Sequence, residues 1–291
     1  MAYFCICMRP NYTWNLPRTR IELGARTAVM GILNVTPDSF SDGGLYFEVD
    51  KAVARGREIE QEGADILDVG GESTRPGGAP VLESEELRRV LPVVEALAPR
   101  LQIPISVDTY RSDVARRVLD AGAQIINDIS GLRFDPQMGE VIAGARAGVV
   151  LMHSRGARDA LHHQPRMAAP LVEVREGLQL SVSRALQSGI DRSRIVIDPG
   201  IGFGKRRDES LLVLGNLGAL SPLQYPLLVG VSRKSFMRDA ADEPQEHRLW
   251  GTAASVAIAV FQGAHIVRVH DVRQMRMVIK IADAIAKADG E

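Results

Sequence analysis

Residues 104–129 read PISVDTYRSDVARRVLDAGAQIINDI. The stretch begins with a short apolar run, 104–108, and continues with apolar residues at helical spacing over 112–120. Gly122 follows as a helix stop, and a second apolar run begins at once, over 124–129. A strand, a helix and a strand in this order predict a βαβ unit with two parallel strands.

The same pattern repeats along the chain. Short apolar runs alternate with helical stretches, and such runs are typical of strands that are buried on both faces. The eight predicted strands are 28–35, 65–70, 104–108, 124–129, 148–153, 194–198, 226–231 and 264–269. The predicted helices are 49–62, 84–97, 112–120, 172–187, 209–217, 245–261 and 272–286.

The number of strands predicts the fold class, which is α/β, as a single (β/α)8 TIM barrel. An open, doubly wound parallel sheet is the alternative, but no G-x-G-x-x-G follows the first strand. The length of 291 residues suits one barrel with a short extension. We expect an N-terminal extension over 1–27 that covers the bottom of the barrel, anchored by Trp14 and Leu16, and a catalytic domain over 28–291.

Composition excludes several classes of protein. The chain has 35 basic and 36 acidic residues, a balance that argues against a protein built mainly to bind nucleic acid or a membrane surface. No run of about 18 apolar residues and no secretory signal pattern is present. Cys5 and Cys7 are the two cysteines and cannot form a disulfide framework, so we expect reduced thiols and a cytoplasmic location.

Polar residues mark the ends of the predicted strands. The active site of a (β/α)8 barrel lies at the carboxyl ends of its strands. One polar residue there could simply cap a loop, whereas eight on one rim predict a functional site. They are Asn34, Asp68, Asp108, Asn127, His153, Asp198, Ser232 and Arg268, with His270 two residues further.

Charge and loops at this rim suggest an anionic ligand. Three crowded carboxylates need cations or N–H donors, which Lys205, Lys234 and other basic residues or a ligand would supply. The polar, Gly-rich segments 34–44, 70–78 and 198–205 are predicted to close over the barrel mouth and suit phosphate. Lys234 fits either a phosphate or a flat heterocycle, and chemistry alone leaves both roles open.

Other catalytic patterns are missing from the sequence. It contains no H-E-x-x-H, spaced Cys/His cluster or G-x-S-x-G, which argues against a structural zinc site and acyl-enzyme hydrolysis. Mg²⁺ held by substrate phosphates and one side chain remains compatible. We expect His162 and His163 to be solvated, and His247 and His265 to be structural.

Seven motifs in fixed order make the chain resemble the dihydropteroate synthase family over about residues 28–285. They are NVTPDSFSDGG from 34, DVGGESTRPG from 68, SVDT from 106, NDISG from 127, DPGIGFGK from 198, SRKS from 232 and RVHDV from 268. The resemblance implies a homodimeric transferase of folate biosynthesis and a sulfonamide target. Its members join 6-hydroxymethyl-7,8-dihydropterin diphosphate to p-aminobenzoate and release pyrophosphate.

The resemblance also implies roles for individual residues. Buried carboxylates suit the adjacent amino and ring N–H groups of a pterin, and a planar guanidinium suits its ring face. The implied pterin-binding residues are Asp108, Asn127, Met152, Asp198, Phe203, Lys234 and Arg268. Arg75, Arg268 and His270 are implied for the diphosphate, and Asn34 for Mg²⁺, the expected cofactor. Phe40, Thr74, Pro76 and Ser235 are implied for p-aminobenzoate, and Asp42, Arg75 and Lys234 for catalysis.

The implied mechanism is dissociative. Diphosphate leaves first, a pterin cation forms, and the aniline nitrogen attacks; no covalent enzyme intermediate is needed. The sequence departs from many relatives at Arg155, where Gln is frequent, and at Ile201, where Phe is frequent. The alternatives are a pterin-binding methyltransferase domain that acts on a corrinoid and a non-catalytic pterin-binding paralogue. The complete first and second loops, with Asn34 and Arg75, disfavour both.

Overall fold

The structure of the protein is a computed structural model that describes residues 9–35, 45–72, 81–161, 164–237 and 245–288. For residues 45–48, 159, 235 and 245–247 the description is limited to the backbone. Within these ranges, none of the helices combines the length and the apolar content needed to cross a bilayer.

The described elements alternate as the sequence predicts. The strands are β1 (Tyr12–Asn15), β2 (Arg20–Leu23), β3 (Ala28–Asn34), β4 (Ile66–Gly70), β5 (Ile105–Asp108), β6 (Ile125–Asp128), β7 (Gly148–Met152), β8 (Ile195–Asp198), β9 (Leu228–Gly230) and β10 (Ile266–Val269). The helices are α1 (Leu45–Gln61), α2 (Glu83–Leu97), α3 (Ser112–Asp120), α4 (Met138–Gly144), α5 (Pro170–Gln187), α6 (Arg207–Leu214), α7 (Gln245–Phe261) and α8 (Val272–Ala288).

Strands β3 to β10 form one parallel sheet in the order β8-β7-β6-β5-β4-β3-β10-β9. The two outer strands meet where Ile197 bridges Leu227 and the Ile197 N–H donates to Pro226 O at 3.0 Å. The sheet is therefore closed, and the predicted (β/α)8 barrel is confirmed. All eight predicted strands are present, and each is shorter than its predicted span by one to three residues.

Two features were not predicted. Helix α4 is only seven residues long and contains two glycines, so its sequence, MGEVIAG, gives little helical periodicity. The extension folds into an antiparallel hairpin of β1 and β2. Its strands have four residues each, too few for a clear alternation.

The hairpin closes the amino-terminal end of the barrel. Trp14 is fully buried, and its Nε1 donates to Arg194 O at 2.9 Å. Trp14, Leu16 and Leu23 pack against interior residues of the strands in one apolar cluster. The prediction that Trp14 and Leu16 anchor the extension is thus confirmed, while the domain boundary after residue 27 stays a prediction.

Candidate active site at the carboxyl end of the barrel

Side chains in the barrel interior change from apolar to polar within two residues along the strands. Ile66, Ile125, Val196 and Ile266 belong to the apolar cluster above the hairpin. Because alternate residues of a strand face the same side, the residues two positions further form the next interior layer. These residues are Asp68, Asn127, Asp198 and Arg268. The strand register adds Asp108, paired with Asn127, and Met152, paired with Asp198.

Arg268 is the centre of this polar layer. Its Nε donates to Asp68 Oδ2 at 2.6 Å, and its Nη2 donates to Asp108 Oδ2 at 2.8 Å. Asn127 Nδ2 donates to the same Asp68 oxygen at 3.3 Å. The guanidinium therefore holds two carboxylates from neighbouring strands, β4 and β5, in place.

The environment of Asp108 disfavours its charge. Burial raises the pKa of Asp108 to about 7; the Arg268 guanidinium opposes the rise and the Asp68 carboxylate adds to it. A group with this pKa changes its charge near neutral pH. A ligand that donates N–H groups to Asp108 will therefore favour its ionised form.

Asp198 is anchored to the loop that follows it. Its Oδ1 accepts the Gly200 N–H at 2.7 Å. Burial raises the pKa of Asp198, against the opposing effects of Lys234, the Gly200 N–H and Lys205. Two lysines thus stabilise the carboxylate form that a donor ligand requires.

Lys234 reaches the same space from the loop after β9. Its Nζ donates to Ile201 O at 2.5 Å and lies 4.4 Å from the centroid of the Phe203 ring. A Cβ at Gly230 would lie 3.8 Å from this Nζ, an ordinary contact distance, so Lys234 Nζ lies beside the end of β9. Burial lowers the pKa of Lys234 to about 8, with the Asp198 carboxylate opposing.

His270 and Asn34 lie at two other points of the rim. His270 Nδ1 lies 2.9 Å from Ser232 Oγ, which also accepts the His270 backbone N–H at 3.2 Å. Asn34 ends β3, and its Oδ1 would lie 3.7 Å from a Cβ at Gly70. The Asn34 amide therefore lies at the inner edge of the mouth.

An apolar wall completes the site. Met152 is buried with Ile129 and Leu161 in a small cluster, and Phe203 packs against it. Phe134 and Tyr110 join the cluster with their rings edge to face, 5.5 Å apart. This wall suits the face or edge of a flat ring.

The remaining site predictions fall outside the description. Residues Phe40, Asp42, Thr74, Arg75 and Pro76 lie outside the described residues, as do Cys5, Cys7, His162 and His163. Ser235 begins a short 3-10 helix, Ser235–Met237, and only the backbone of Ser235 itself is described. His265 is structural as predicted: its Nδ1 accepts the Leu227 N–H at 3.1 Å and its Nε2 lies 3.0 Å from Pro10 O.

Two carboxylates, Asp68 and Glu72, were assigned no individual ligand from the sequence, although Asp68 was among the predicted rim residues. Asp68 is fully buried, and its Oδ1 has no hydrogen-bond partner among the described residues. Glu72 accepts hydrogen bonds from Tyr110, Arg111 and Arg158. Both were visible as acidic residues at the end of β4, but the sequence does not show which cations they meet.

The sequence matches the pterin-binding enzyme family over residues 30–270. The dihydropteroate synthase of Bacillus subtilis is 46% identical over 265 residues, which cover 91% of this chain and 90% of that protein. The solved structure of Xanthomonas albilineans dihydropteroate synthase with 4-aminobenzoic acid has a TM-score of 0.87 at 41% identity, covering 95% and 98% of the two chains. The Yersinia pestis dihydropteroate synthase with a sulfonamide drug has a TM-score of 0.87 at 39% identity, covering 95% and 99%. The protein is therefore a member of the pterin-binding enzyme family and, within it, of the dihydropteroate synthases.

Proposed function

We propose that this dihydropteroate synthase joins 6-hydroxymethyl-7,8-dihydropterin diphosphate to p-aminobenzoate, and that the bond to diphosphate breaks before the new bond forms. The observation that carries the proposal is the buried polar layer in which Arg268 bridges Asp68 and Asp108. The Xanthomonas relative with 4-aminobenzoic acid supports the second substrate.

The polar layer provides the contacts that a pterin needs. The ring presents an amino group beside a ring N–H, and the Asp198 and Asp108 carboxylates accept such donors. The Asn127 amide can both donate and accept, and Lys234 donates to a ring nitrogen or carbonyl. Arg268 stacks on the ring face once the ring displaces it from part of its contact with Asp108.

The leaving diphosphate would meet positive charge at the rim. His270, Arg268 and Arg75 are the groups we assign to it. Magnesium, when bound with the diphosphate, supplies further positive charge to the leaving oxygens. One amide oxygen from Asn34, with phosphate oxygens and water, is a donor set that suits Mg²⁺. Among the described residues no group of three acidic, His or Cys side chains could form a cage of protein ligands alone.

The chemistry then needs one bond to break and one to form. The C–O bond to the diphosphate breaks and leaves a pterin cation, whose charge we assign Asp42 to offset. The aniline nitrogen of p-aminobenzoate attacks the exocyclic carbon and loses a proton. We assign p-aminobenzoate to Phe40, Thr74, Pro76 and Ser235. The Yersinia relative solved with a sulfonamide drug supports the proposal that this chain also binds sulfonamides.

We also propose a homodimer through helices α7 and α8, which pack side by side. Met277, Ile281 and Ile285 lie four residues apart along one face of α8, and the first two are 70% and 62% exposed. Trp250 of α7 is 71% exposed. A large exposed apolar surface of this kind is typical of an interface. Sedimentation velocity should find a dimer that Ile281→Glu converts to a monomer. Leu180→Glu, at an exposed position of α5, should leave the dimer intact.

The activity is tested by pyrophosphate release from the pterin diphosphate with Mg²⁺, with and without p-aminobenzoate. Release that depends on p-aminobenzoate and yields 7,8-dihydropteroate supports the proposal. Rapid release without p-aminobenzoate, giving the hydrolysed pterin, would keep the dissociative step and reject the condensation. Binding of the pterin without release would point to a non-catalytic pterin-binding protein.

A further inference from the structure

Lys205 ends the Gly-rich loop after β8, and it is not among the residues assigned above to the pterin, the diphosphate or p-aminobenzoate. Its Nζ lies 2.9 Å from Gly200 O, 3.1 Å from Phe203 O and 3.1 Å from His153 O. His153 Nδ1 lies 2.9 Å away as well. A single ammonium group thus gathers three backbone carbonyls and one imidazole nitrogen.

The charges around Lys205 agree with this arrangement. Burial lowers the pKa of His153 to about 2, and the Lys205 charge adds to the effect, so the imidazole is neutral and can accept a hydrogen bond. Burial also lowers the pKa of Lys205 to about 7, with Asp198 opposing. Four acceptors around one nitrogen favour its charged form, which has three N–H donors.

The loop is shaped to bring these carbonyls together. Gly200, Gly202 and Gly204 have φ values of +64°, +81° and +65°, a left-handed conformation that glycine adopts at little cost. A Cβ at Gly200 would lie 2.0 Å from His153 O. The loop therefore lies directly against the end of β7, where Lys205 joins the two.

The same loop supplies three parts of the pterin pocket. Asp198 is tied to it through the Gly200 N–H, and the Phe203 ring faces Lys234. The carbonyl of Ile201, which lies in the chain between the Lys205-bound carbonyls of Gly200 and Phe203, accepts the hydrogen bond from Lys234. A shift of the loop would move all three side chains at once.

We propose that Lys205 is a positioning residue of the pterin pocket, whose ammonium group fixes the loop at 200–204 to β7 and thereby sets Asp198, Phe203 and Lys234 relative to one another. This inference rests on the proposed pterin site. It makes no use of p-aminobenzoate or of the diphosphate.

The first test measures binding of 6-hydroxymethylpterin to the Lys205→Ala and Lys205→Met variants by calorimetry. We expect the dissociation constant to rise about tenfold or more, because three carbonyls lose a charged donor. The KM for the pterin diphosphate should rise in parallel, while the KM for p-aminobenzoate should stay within about twofold. Hydrogen exchange at the amides of 200–204 should become faster. Lys205→Met keeps the side-chain volume and serves if the alanine variant does not fold.

The second test is chemical rescue. The alanine variant lacks the propylammonium part of the lysine, so n-propylammonium should lower the dissociation constant toward the wild-type value. Tetramethylammonium, which has no N–H donor, should not do so at the same ionic strength. Leu97→Ala, in the core at the end of α2, is the control for a general loss of stability.

The outcomes separate this inference from the proposed function. A wild-type dissociation constant in both Lys205 variants overturns it, as does a loss that Leu97→Ala shares and n-propylammonium does not reduce. Absence of p-aminobenzoate-dependent pyrophosphate release from the wild-type protein would reject the proposed reaction. The binding and exchange measurements on Lys205 would still decide its role.

Discussion

Nη2 of Arg268 donates a hydrogen bond to Oδ2 of Asp108 at 2.8 Å, across the mouth of the barrel. Both residues are assigned to the pterin, so the free protein satisfies its binding groups with one another. The ion pair holds the Asp108 carboxylate in the position where a ligand would meet it. The arriving ring must replace part of this contact, and its N–H donors then compensate the carboxylate for the guanidinium it loses.

Asp108→Asn should weaken binding of 6-hydroxymethylpterin by about 10- to 100-fold, because a hydrogen bond to a charged acceptor contributes about 1.5–3 kcal/mol. The amide also turns one acceptor into a donor, which faces the N–H groups of the ring. Calorimetry would measure the change. Asp113→Asn, exposed on the first turn of α3, is the matched control and should bind as the wild type does. Unchanged affinity in Asp108→Asn would remove this residue from the pterin site.

Pterin affinity should depend on pH through Asp108, because its pKa is raised to about 7. Affinity should fall about tenfold per pH unit as the pH drops below 7, since the protonated acid accepts N–H donors poorly. Asp108→Asn should remove most of this dependence. Titration of 6-hydroxymethylpterin, which has no phosphate, between about pH 5 and 7.5 avoids the ionisation of the diphosphate.

For folding, the same raised pKa acts in the opposite direction. The contribution of Asp108 to stability is fully present below the pKa of the unfolded chain, and it is lost as the pH rises through about 7. Urea unfolding of wild type and Asp108→Asn at about pH 5 and 8 would test this sign. A variant whose stability changes with pH as the wild type does would contradict it.

The fold could be predicted from sequence because each strand of this barrel is buried on both faces. Runs such as 148–152 are then apolar throughout, and the number of runs decides the architecture. The short α4 could not be found in this way, since a helix of seven residues with two glycines shows no clear period. The hairpin was also missed, although burial of Trp14 beneath the barrel was expected.

The site could be predicted in part for a related reason. A polar residue at the end of an apolar strand must face either a loop or a ligand, which identified Asp108, Asn127, Asp198 and Arg268. The network among them could not be predicted from the sequence, because Arg268 and Asp68 are 200 residues apart in the chain. They meet only because β10, which carries Arg268, and β4, which carries Asp68, both pair with β3. The proposed role of Lys205 could not be predicted either, because every residue has a backbone carbonyl and the sequence does not show which carbonyls meet at one point.

Arg233 adopts a left-handed backbone, with φ of +58°, immediately before Lys234. Its Nε and Nη2 donate to Asp271 at 3.1 and 2.5 Å, and its N–H donates to Thr252 Oγ1 at 3.1 Å. Arg233→Gly and Arg233→Ala both remove the ion pair, but only glycine relieves the strain. We expect Arg233→Gly to have a free energy of unfolding about 1 kcal/mol higher than that of Arg233→Ala, measured by chemical denaturation. Equal stability of the two variants would show that this backbone is not strained.

The two ends of the barrel should separate stability from binding. Trp14 is fully buried beneath the apolar layer, while the proposed pterin contacts lie above it. Trp14→Ala should lower the free energy of unfolding by about 3–5 kcal/mol, through the lost burial of a large side chain. Trp14→Phe should lower it less, because it keeps most of the packing and loses the hydrogen bond to Arg194 O.

At a temperature where both Trp14 variants remain folded, their dissociation constants for 6-hydroxymethylpterin should stay within about twofold of the wild-type value, since distant sites act independently. Denaturation and calorimetry on the same samples provide the comparison. Asp108→Asn should instead weaken pterin binding directly, through a side chain of the polar layer itself. If Trp14→Phe weakened pterin binding as much as Asp108→Asn does, the hairpin would have to act on the polar layer through Ile66, Ile125 and their neighbours. The bottom of the barrel would then be part of the functional site rather than its support.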